Sequence, residues 1–130
     1  MKEPNWLLSD IVISVHQMLI AEHGGVLGIR DKTLLESALA RPKQNFSYSD
    51  NSSIFELAAS YSYGLAKNHP FVDGNKRVAL TAGAIFLELN GYEFNASEPE
   101  TVIVFEQLAA GKMTEAELAK WYSDSSILLA

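Results

Sequence analysis

The sequence predicts an all-α fold, and three observations support this. Apolar residues recur at helical spacing through segments such as 8–19 and 78–89, which is the spacing of one helix face. Three segments begin with Ser or Thr followed three residues later by Glu, a helix-start pattern. Gly and Pro come at intervals that suit helices rather than strands. We therefore predict a compact bundle of about six helices, forming one domain over residues 1–130.

The first helix is predicted to begin near Ser9 or Asp10. It is expected to end at Gly24-Gly25, because glycine is the usual residue just after a helix C-terminus. Two histidines, His16 and His23, lie on this helix. Both are interpreted as solvated or hydrogen-bonded surface residues without a catalytic role.

Asp31 is expected to cap a second helix, because its side chain can accept a hydrogen bond from a free backbone N–H group. Pro42 is expected to limit this helix, since proline lacks the N–H group and clashes with the preceding turn. The polar segment 43–52 is then the longest irregular stretch. A loop that docks the substrate backbone and a plain flexible connection are both compatible with its sequence.

The remaining helices are predicted from capping patterns and apolar spacing. Helix-start patterns stand at Ser53, Ser97 and Thr114. A further helix over residues 78–89 has a broad apolar face, which indicates that it is central. Segment 92–94 is a candidate for extended chain, but no partner strand is evident for it.

Composition excludes several function classes. Sixteen acidic and ten basic residues give a net charge of −6, which repels a phosphate backbone, so no nucleic-acid partner is expected. The sequence contains no Cys, which excludes disulfides and thiolate metal sites. No apolar run approaches the roughly 18 residues typical of a membrane span, and no signal-peptide core is evident. We expect a soluble, cytoplasmic protein that has no membrane partner.

Segment 69–77 concentrates chemically active residues just before a predicted helix. The first turn of a helix has unpaired N–H groups and a partial positive charge, so it binds anions such as phosphates. Cations are unfavourable there unless an anion is bound, so Lys76 and Arg77 indicate a phosphate ligand. Gly74 lets the backbone approach that ligand. Asn75 can cap the helix, donate to a phosphate oxygen, or do both.

His69 is the candidate general base, because a neutral imidazole is available near neutral pH to accept a proton from an attacking hydroxyl. Pro70 is expected to keep His69 in an extended conformation. Asp73 has two interpretations from its spacing alone: it binds Mg²⁺ beside a nucleotide, or it is the N-cap of the helix. Phe71 is expected to anchor the segment in the core.

These residues resemble the signature of the Fic/Doc superfamily, which runs His-x-Phe-x-(Asp/Glu)-(Gly/Ala)-Asn-(Gly/Lys)-Arg. Every specified position matches, and with lysine at position 76 the segment is most similar to the Doc, or death-on-curing, branch. Doc-like features extend over most of the chain. They include positions 24–25, 28–31, 34–39 with Pro42, and 79–91.

The resemblance implies a compact helical toxin of a toxin–antitoxin pair. In the Doc branch such a toxin uses ATP to phosphorylate a threonine of elongation factor Tu, which blocks translation. His69 then corresponds to the base and Asp73 to the magnesium-associated acid, while Asn75, Lys76 and Arg77 correspond to phosphate binders. The implied partner is a small, Phd-like antitoxin whose C-terminal segment folds as a helix into a groove.

Typical Fic enzymes instead transfer AMP to a hydroxyl. They place Gly where Lys76 stands and a second Arg where Leu80 stands, so this sequence lacks one bidentate phosphate clamp. We therefore expect phosphoryl transfer, with AMP transfer and a non-catalytic nucleotide-binding or antitoxin-binding module as open alternatives. The self-inhibitory pattern (Ser/Thr)-x-x-x-Glu-(Gly/Asn) of many Fic proteins is absent from the sequence, so control by a separate antitoxin is expected.

Overall fold

The computed structural model describes residues 2–49 and 51–129, and these residues form six helices and one small sheet. The prediction of a six-helix, all-α fold is therefore confirmed, with a two-stranded sheet added. The elements in chain order are α1 (Ser9–His23), α2 (Lys32–Tyr48), α3 (Ile54–Asn68), α4 (Asn75–Leu89), β1 (Tyr92–Phe94), α5 (Glu98–Ala109), α6 (Glu115–Asp124) and β2 (Ser126–Leu128).

Four predicted helix starts are confirmed by side-chain caps. In each case the capping oxygen accepts a hydrogen bond from the backbone N–H group three residues later, which satisfies a donor that the helix leaves unpaired. The capping residues are Asp31, Ser53, Ser97 and Thr114. Helix α1 also begins and ends as predicted, with Gly24 just after its last turn.

Helices α3 and α4 form the centre of the molecule. Helix α3 packs against α2, α4, α5 and α6, and α4 also packs against α1, α5 and β1. The central position predicted for the helix after the 69–77 segment is therefore confirmed, and α3 shares it. No helix among residues 2–49 and 51–129 has the length and apolar character needed to cross a membrane.

A buried pair of hydroxyls joins three helices. The Oγ atom of Ser62 on α3 donates to the carbonyl oxygen of Ala79 on α4 and lies 2.7 Å from the Tyr122 hydroxyl on α6. Burial raises the pKa of Tyr122 far above its ordinary value, so this hydroxyl stays neutral. Gly83 is required beside the pair, because a Cβ atom at this position would collide with both hydroxyls.

Helix α2 continues through Pro42 as far as Tyr48. The prediction that Pro42 limits the helix was therefore wrong, and the predicted irregular stretch over residues 43–52 was wrong for residues 43–48, which are helical. Proline inside a helix costs about 3 kcal/mol, because a backbone hydrogen bond is lost and the ring crowds the preceding turn. Contacts with other elements must therefore stabilise the last turns of α2.

Those contacts involve the N-terminal segment and α3. The ring of Phe46 packs edge-on against Trp6 with centroids 5.7 Å apart. The side-chain amide of Asn45 donates to Ser60 Oγ at 3.0 Å. Because both partners are distant in the sequence, local propensity could not reveal them.

The short sheet pairs β1 with β2 in an antiparallel arrangement. Tyr92 lies opposite Leu128, and Phe94 lies opposite Ser126. The extended conformation of segment 92–94 is confirmed, but the expectation that it lacks a partner strand was wrong. The partner comes after two further helices, so no local turn pattern indicates the pairing.

Candidate active site

A cavity of about 550 Å³ lies at the start of α4, with α5 as its second wall. All six residues predicted for the site line this cavity, so the structure places them together. The lining residues are His69, Val72, Asp73, Gly74, Asn75, Lys76, Arg77, Leu80, Thr101, Val102, Phe105 and Glu106. We call residues 69–77 the active-site loop.

The N-terminus of α4 has no side-chain cap. Its N-cap residue is Gly74, in the left-handed region with φ of 77°, and no side chain accepts hydrogen bonds from the first turn. The alternatives in which Asp73 or Asn75 caps this helix are therefore not what the structure shows. The first-turn N–H groups of α4 carry the partial positive charge of the helix and are suited to an anion.

Two cations add full charge to this helix end. Lys76 and Arg77 are exposed, and the first turn of α4 contains no acidic residue. Neither side chain forms a salt bridge or hydrogen bond with any residue in the described ranges 2–49 and 51–129. Glu106 on α5 is the acidic residue on the opposite wall of the cavity. The charge arrangement therefore favours a phosphate ligand near α4.

Asp73 presents an exposed carboxylate whose orientation is fixed. Its Oδ1 atom accepts from the N–H group of Gly74 at 2.9 Å, and its Oδ2 atom accepts from that of Val26 at 3.2 Å. Gly25 makes room for the carboxylate, because a Cβ atom there would lie 2.7 Å from Oδ2. Each oxygen accepts one hydrogen bond and keeps another lone pair.

This carboxylate fits the way proteins usually bind Mg²⁺. The ion takes one or two carboxylates and completes its coordination with phosphate oxygens and water. Within the described ranges, no group of three or more His, Cys, Asp or Glu residues is placed to hold a metal. The exposed Asp73 carboxylate beside the start of α4 suits a metal that arrives with a nucleotide.

Asn75 is buried and joins the two ends of the loop. Its Oδ1 atom accepts from the N–H group of Phe71, and its Nδ2 atom donates to the Phe71 carbonyl oxygen, both at 3.0 Å. The same Nδ2 atom lies 3.4 Å from Nδ1 of His69. In this arrangement the amide supports the loop from inside, and its predicted contact with phosphate remains a prediction.

His69 has a left-handed backbone conformation, with φ of 47° and ψ of 54°. The prediction that Pro70 keeps it extended was therefore wrong. A non-glycine residue in this region costs on the order of 1–3 kcal/mol, and such strain is common at functional sites. The imidazole is exposed and lines the cavity.

Arg30 stabilises this strained conformation. Its Nε atom donates to the carbonyl oxygen of His69 at 2.7 Å, and its Nη2 atom donates to that of Asn68 at 2.9 Å. The backbone N–H groups of Arg30 and Asp31 both donate to the carbonyl oxygen of Pro70. These bonds satisfy carbonyls at the end of α3 and hold the backbone of the candidate base in place.

A second backbone contact continues along the loop. Ile29 forms an isolated antiparallel bridge with Phe71, and the N–H group of Val72 donates to the carbonyl oxygen of Gly28 at 3.0 Å. The 28–31 segment therefore runs beside the active-site loop. The sequence predicted a role for Asp31 as a helix cap, but it identified residues 28–30 only through their resemblance to Doc, without a role.

His16 supports the loop from the side of α1. It is 2% exposed, so its interpretation as a surface residue was wrong. Its Nε2 atom lies 2.7 Å from the Asp73 carbonyl oxygen, and its ring stacks on Phe71 with centroids 3.8 Å apart. The predicted anchoring role of Phe71 is confirmed by an exposure of 1%.

Residues on α5 were absent from the predicted site. Thr101, Val102, Phe105 and Glu106 form the wall that faces the active-site loop. Phe105 is largely buried, whereas Val102 is half exposed. Nothing in the sequence of α5 distinguishes these residues from those of an ordinary amphipathic helix, since the approach of α5 to the loop depends on tertiary packing.

The fold and site define a helical protein with an uncapped helix start, two cations in its first turn and a histidine beside it. The Fic/DOC family model matches residues 6–87 of this sequence. The chain belongs to the Fic/Doc family.

Two curated relatives support the Doc branch. The chain is 31% identical over 108 residues to Protein kinase doc of Escherichia phage P1, and the alignment covers 83% of this chain and 85% of that protein. It is 40% identical over 74 residues to Toxin Doc of Mycolicibacterium smegmatis, covering 56% of this chain and 57% of that protein.

Among solved structures, the chain is similar to the N-terminal Fic domain of a VirB-translocated Bep effector protein from Bartonella quintana, solved with bound ADP. The sequence identity is 16% and the TM-score is 0.48. The alignment covers 72% of this chain and 48% of that one, so it spans about half of the solved chain.

Proposed function

We propose that this protein is a Doc-like toxin that transfers a phosphoryl group from ATP to a hydroxyl of another protein. The observation that carries the proposal is the shared position of three elements around one cavity: the uncapped start of α4, the two cations Lys76 and Arg77, and the imidazole of His69. Similarity to proteins named Protein kinase doc and Toxin Doc supports the same activity and biological role.

The start of α4 is the proposed binding site for the phosphates of ATP. Its first-turn N–H groups donate to phosphate oxygens, and Gly74 leaves the backbone accessible. Lys76 and Arg77 provide the charge that balances the triphosphate and the charge that develops during transfer. The guanidinium of Arg77 suits bidentate contact with one phosphate group.

Asp73 is the proposed ligand for Mg²⁺ that arrives with ATP. When bound, this ion neutralises part of the negative charge on the phosphates. The hydrogen bonds from Gly74 and Val26 hold the carboxylate beside the helix start. This arrangement fixes the orientation of the acidic group before the nucleotide binds.

In the proposed reaction, the target hydroxyl forms a bond to the γ-phosphorus, and the bond from that phosphorus to the ADP oxygen breaks. The hydroxyl proton passes to His69. Among the described residues, the ring makes one polar contact, at Nδ1, and Nε2 has no protein partner. Nε2 can accept the proton in the tautomer that carries the ring hydrogen on Nδ1, and in that tautomer the Asn75 amide, itself a donor, makes no hydrogen bond to the ring.

Lys76 and Leu80 favour phosphoryl transfer over AMP transfer. Both side chains line the cavity, so the residues that differ from the AMP-transferring pattern are adjacent to the proposed triphosphate. A lysine side chain in place of glycine takes space along the phosphate path, and leucine cannot clamp a phosphate. AMP transfer remains the second candidate, because the same cations can stabilise attack at either phosphorus.

The proposed target is a threonine of elongation factor Tu, whose modification would block translation in the cytoplasm. A small, Phd-like antitoxin is the proposed regulator and would bind through a C-terminal helix. Both proposals rest on the resemblance of the 69–77 segment to the Doc branch. A short gene beside the toxin gene is the expected source of the antitoxin.

Labelled ATP tests the proposed reaction. The protein is incubated with elongation factor Tu and ATP that carries the label at the γ or the α position. We expect label to reach the factor only from the γ position. Label that arrives only from the α position would replace the kinase proposal with AMP transfer. Transfer from neither position, despite measurable ATP binding, would favour a non-catalytic nucleotide-binding module.

A further inference from the structure

We propose that His16 is a positioning residue that fixes the Asp73–Gly74 peptide group and thereby shapes the phosphate site. Its Nε2 atom lies 2.7 Å from the Asp73 carbonyl oxygen. A carbonyl oxygen only accepts hydrogen bonds, so Nε2 must carry the hydrogen. The imidazole is 2% exposed, and a buried polar group of this kind is costly unless it is paired.

With the hydrogen bond from His16, both ends of the Asp73–Gly74 peptide group are fixed by hydrogen bonds. At the other end, the N–H group of Gly74 donates to Oδ1 of Asp73 at 2.9 Å. Gly74 has φ of 77°, and glycine passes more easily than other residues between backbone conformations. Without the bond from His16, the carbonyl end of this peptide group would be free to rotate.

Rotation would matter because of where the carbonyl points. His16 does not line the cavity, whereas Asp73 and Gly74 do, so the carbonyl oxygen that faces His16 is directed away from the cavity. Rotation would turn its partial negative charge toward the proposed phosphates and would remove the hydrogen bond that orients the Asp73 carboxylate. His16 therefore keeps the peptide group in the orientation that an anion requires.

The imidazole is itself held firmly. Its ring stacks on Phe71 with an interplanar angle of 11°, and Phe71 is 1% exposed. The Nε2 edge of the ring lies beside Gly74, because a Cβ atom there would lie 3.6 Å from Nε2. The stacking on Phe71 and this close approach leave the donor little freedom.

Two substitutions separate the contribution of the His16 hydrogen-bond donor from that of its aromatic ring. His16→Phe keeps an aromatic ring on Phe71 but removes the donor, and His16→Gln keeps an N–H donor but removes the ring. Val12→Ala is the matched control, because Val12 is a buried residue on the same face of α1 and does not line the cavity. Binding of ATP with Mg²⁺ is measured at a temperature where each variant is folded.

We expect His16→Phe to raise the dissociation constant for ATP roughly three- to tenfold, the equivalent of one hydrogen bond. His16→Gln should restore affinity to within about twofold of the wild type, since its amide replaces the donor. Val12→Ala should lower the melting temperature without changing affinity. Equal affinity in the wild type and His16→Phe, or equal losses in His16→Phe and His16→Gln, would overturn the proposal.

A measurement on the wild type alone keeps the proposal testable if His16→Phe does not fold. Nitrogen NMR of the His16 ring should show the hydrogen on Nε2, and the Gly74 amide should be protected from hydrogen exchange in the absence of ligand. A hydrogen on Nδ1 alone would overturn the assignment. The ATP measurement rests on the proposed function, whereas these two readouts do not. A wild type that binds no ATP but shows both signals would contradict only the proposed function.

Discussion

Helices α4 and α6 begin in opposite ways. Helix α6 has a complete capping box, in which Thr114 accepts from the N–H group of Glu117 and the Glu117 carboxylate accepts from that of Thr114. Helix α4 begins after Gly74 without a cap and has two cations in its first turn.

The contrast shows how each helix stabilises the partial positive charge at its N-terminus. Helix α6 uses its own carboxylates, with acidic residues at positions 115 and 117. Its N-terminal charge is therefore balanced without a ligand. Helix α4 has no acidic residue in its first turn, and among the N–H groups at this helix start the Asp73 carboxylate accepts only from that of Gly74. The first-turn N–H groups of α4 are therefore suited to an anion from outside the chain. The cations at this helix start lower the stability of the free protein, and the binding of an anionic ligand offsets that cost.

Replacing the candidate base should give the largest effect and should separate chemistry from binding at the start of α4. His69→Ala is expected to slow transfer by about 10²–10⁴-fold, because the imidazole proposed to accept the hydroxyl proton is lost. The affinity for ATP should change little, since the helix start is intact. The exposed His23→Ala on α1 serves as the control. Unchanged transfer in His69→Ala would remove His69 from the reaction.

Removing the two cations should act on binding and on stability in opposite directions. The double substitution Lys76→Gln, Arg77→Gln should weaken ATP binding by about 10- to 100-fold, because charge-assisted hydrogen bonds to phosphate are lost. Without ATP, the unfolding free energy should rise by about 0.3–1 kcal/mol, since like charge at the helix N-terminus is removed. Titration with ATP and chemical denaturation measure the two effects.

Lys32→Gln is the matched control for this prediction. Lys32 is the first residue of α2, so it is also a cation at a helix start, but that start is capped by Asp31 and does not line the cavity. Its replacement should leave ATP affinity unchanged. If the double variant lost stability instead of gaining it, the first-turn cations of α4 would have favourable partners within the protein, and the contrast with α6 would be weakened.

Arg30→Met should have a smaller effect, confined to the chemical step. It removes two hydrogen bonds to the end of α3 but keeps an unbranched side chain. The strained backbone of His69 should then relax, and transfer should slow by about tenfold because the base is displaced. Arg41→Met is the control, since Arg41 pairs with Glu115 away from the cavity. Equal slowing in both variants would show a general loss of stability rather than a displaced base.

The sequence predicted the helices well, because each start depends on adjacent residues. Ser53 and Thr114 are followed three residues later by glutamate, and this local pattern determines the cap. Pro42 and Pro70 gave wrong predictions for one physical reason. In both cases contacts from distant segments, Phe46 on Trp6 and Arg30 on the His69 carbonyl, overrode a local backbone preference.

In the candidate site, too, the features set by adjacent residues could be predicted, and those set by distant contacts could not. Residues 69–77 are contiguous, so their chemistry could be inferred directly from the sequence, and the structure places all of them except Pro70 and Phe71 around one cavity. His16 could have been found from its position between Val12 and Ile20 on one face of α1. A histidine on such an apolar stripe is buried and needs a partner. The α5 wall had no such signal, because it depends on how helices pack.

The smallest predicted effect concerns α6 and the ionisable side chain of Glu117, which glutamine can replace without a titrating group. The backbone N–H group and the hydroxyl of Thr114 hold the pKa of the Glu117 carboxyl below its ordinary value of 4.5. The unfolded chain therefore binds the proton more readily, so this stabilisation is present above the ordinary pKa and is lost as pH falls through the folded-state pKa. Glu117→Gln keeps a side-chain acceptor for the cap but removes the titration.

Chemical denaturation from about pH 6 to about pH 3 should therefore show the wild type more stable than Glu117→Gln near neutral pH, with the difference shrinking in acid. ATP affinity should not change, because Glu117 does not line the cavity. A stability difference that stays constant with pH would show that the carboxylate charge contributes nothing at the start of α6. The contrast with α4 would then depend on hydrogen bonding alone, and the cations of α4 would no longer indicate that this helix start binds an anion.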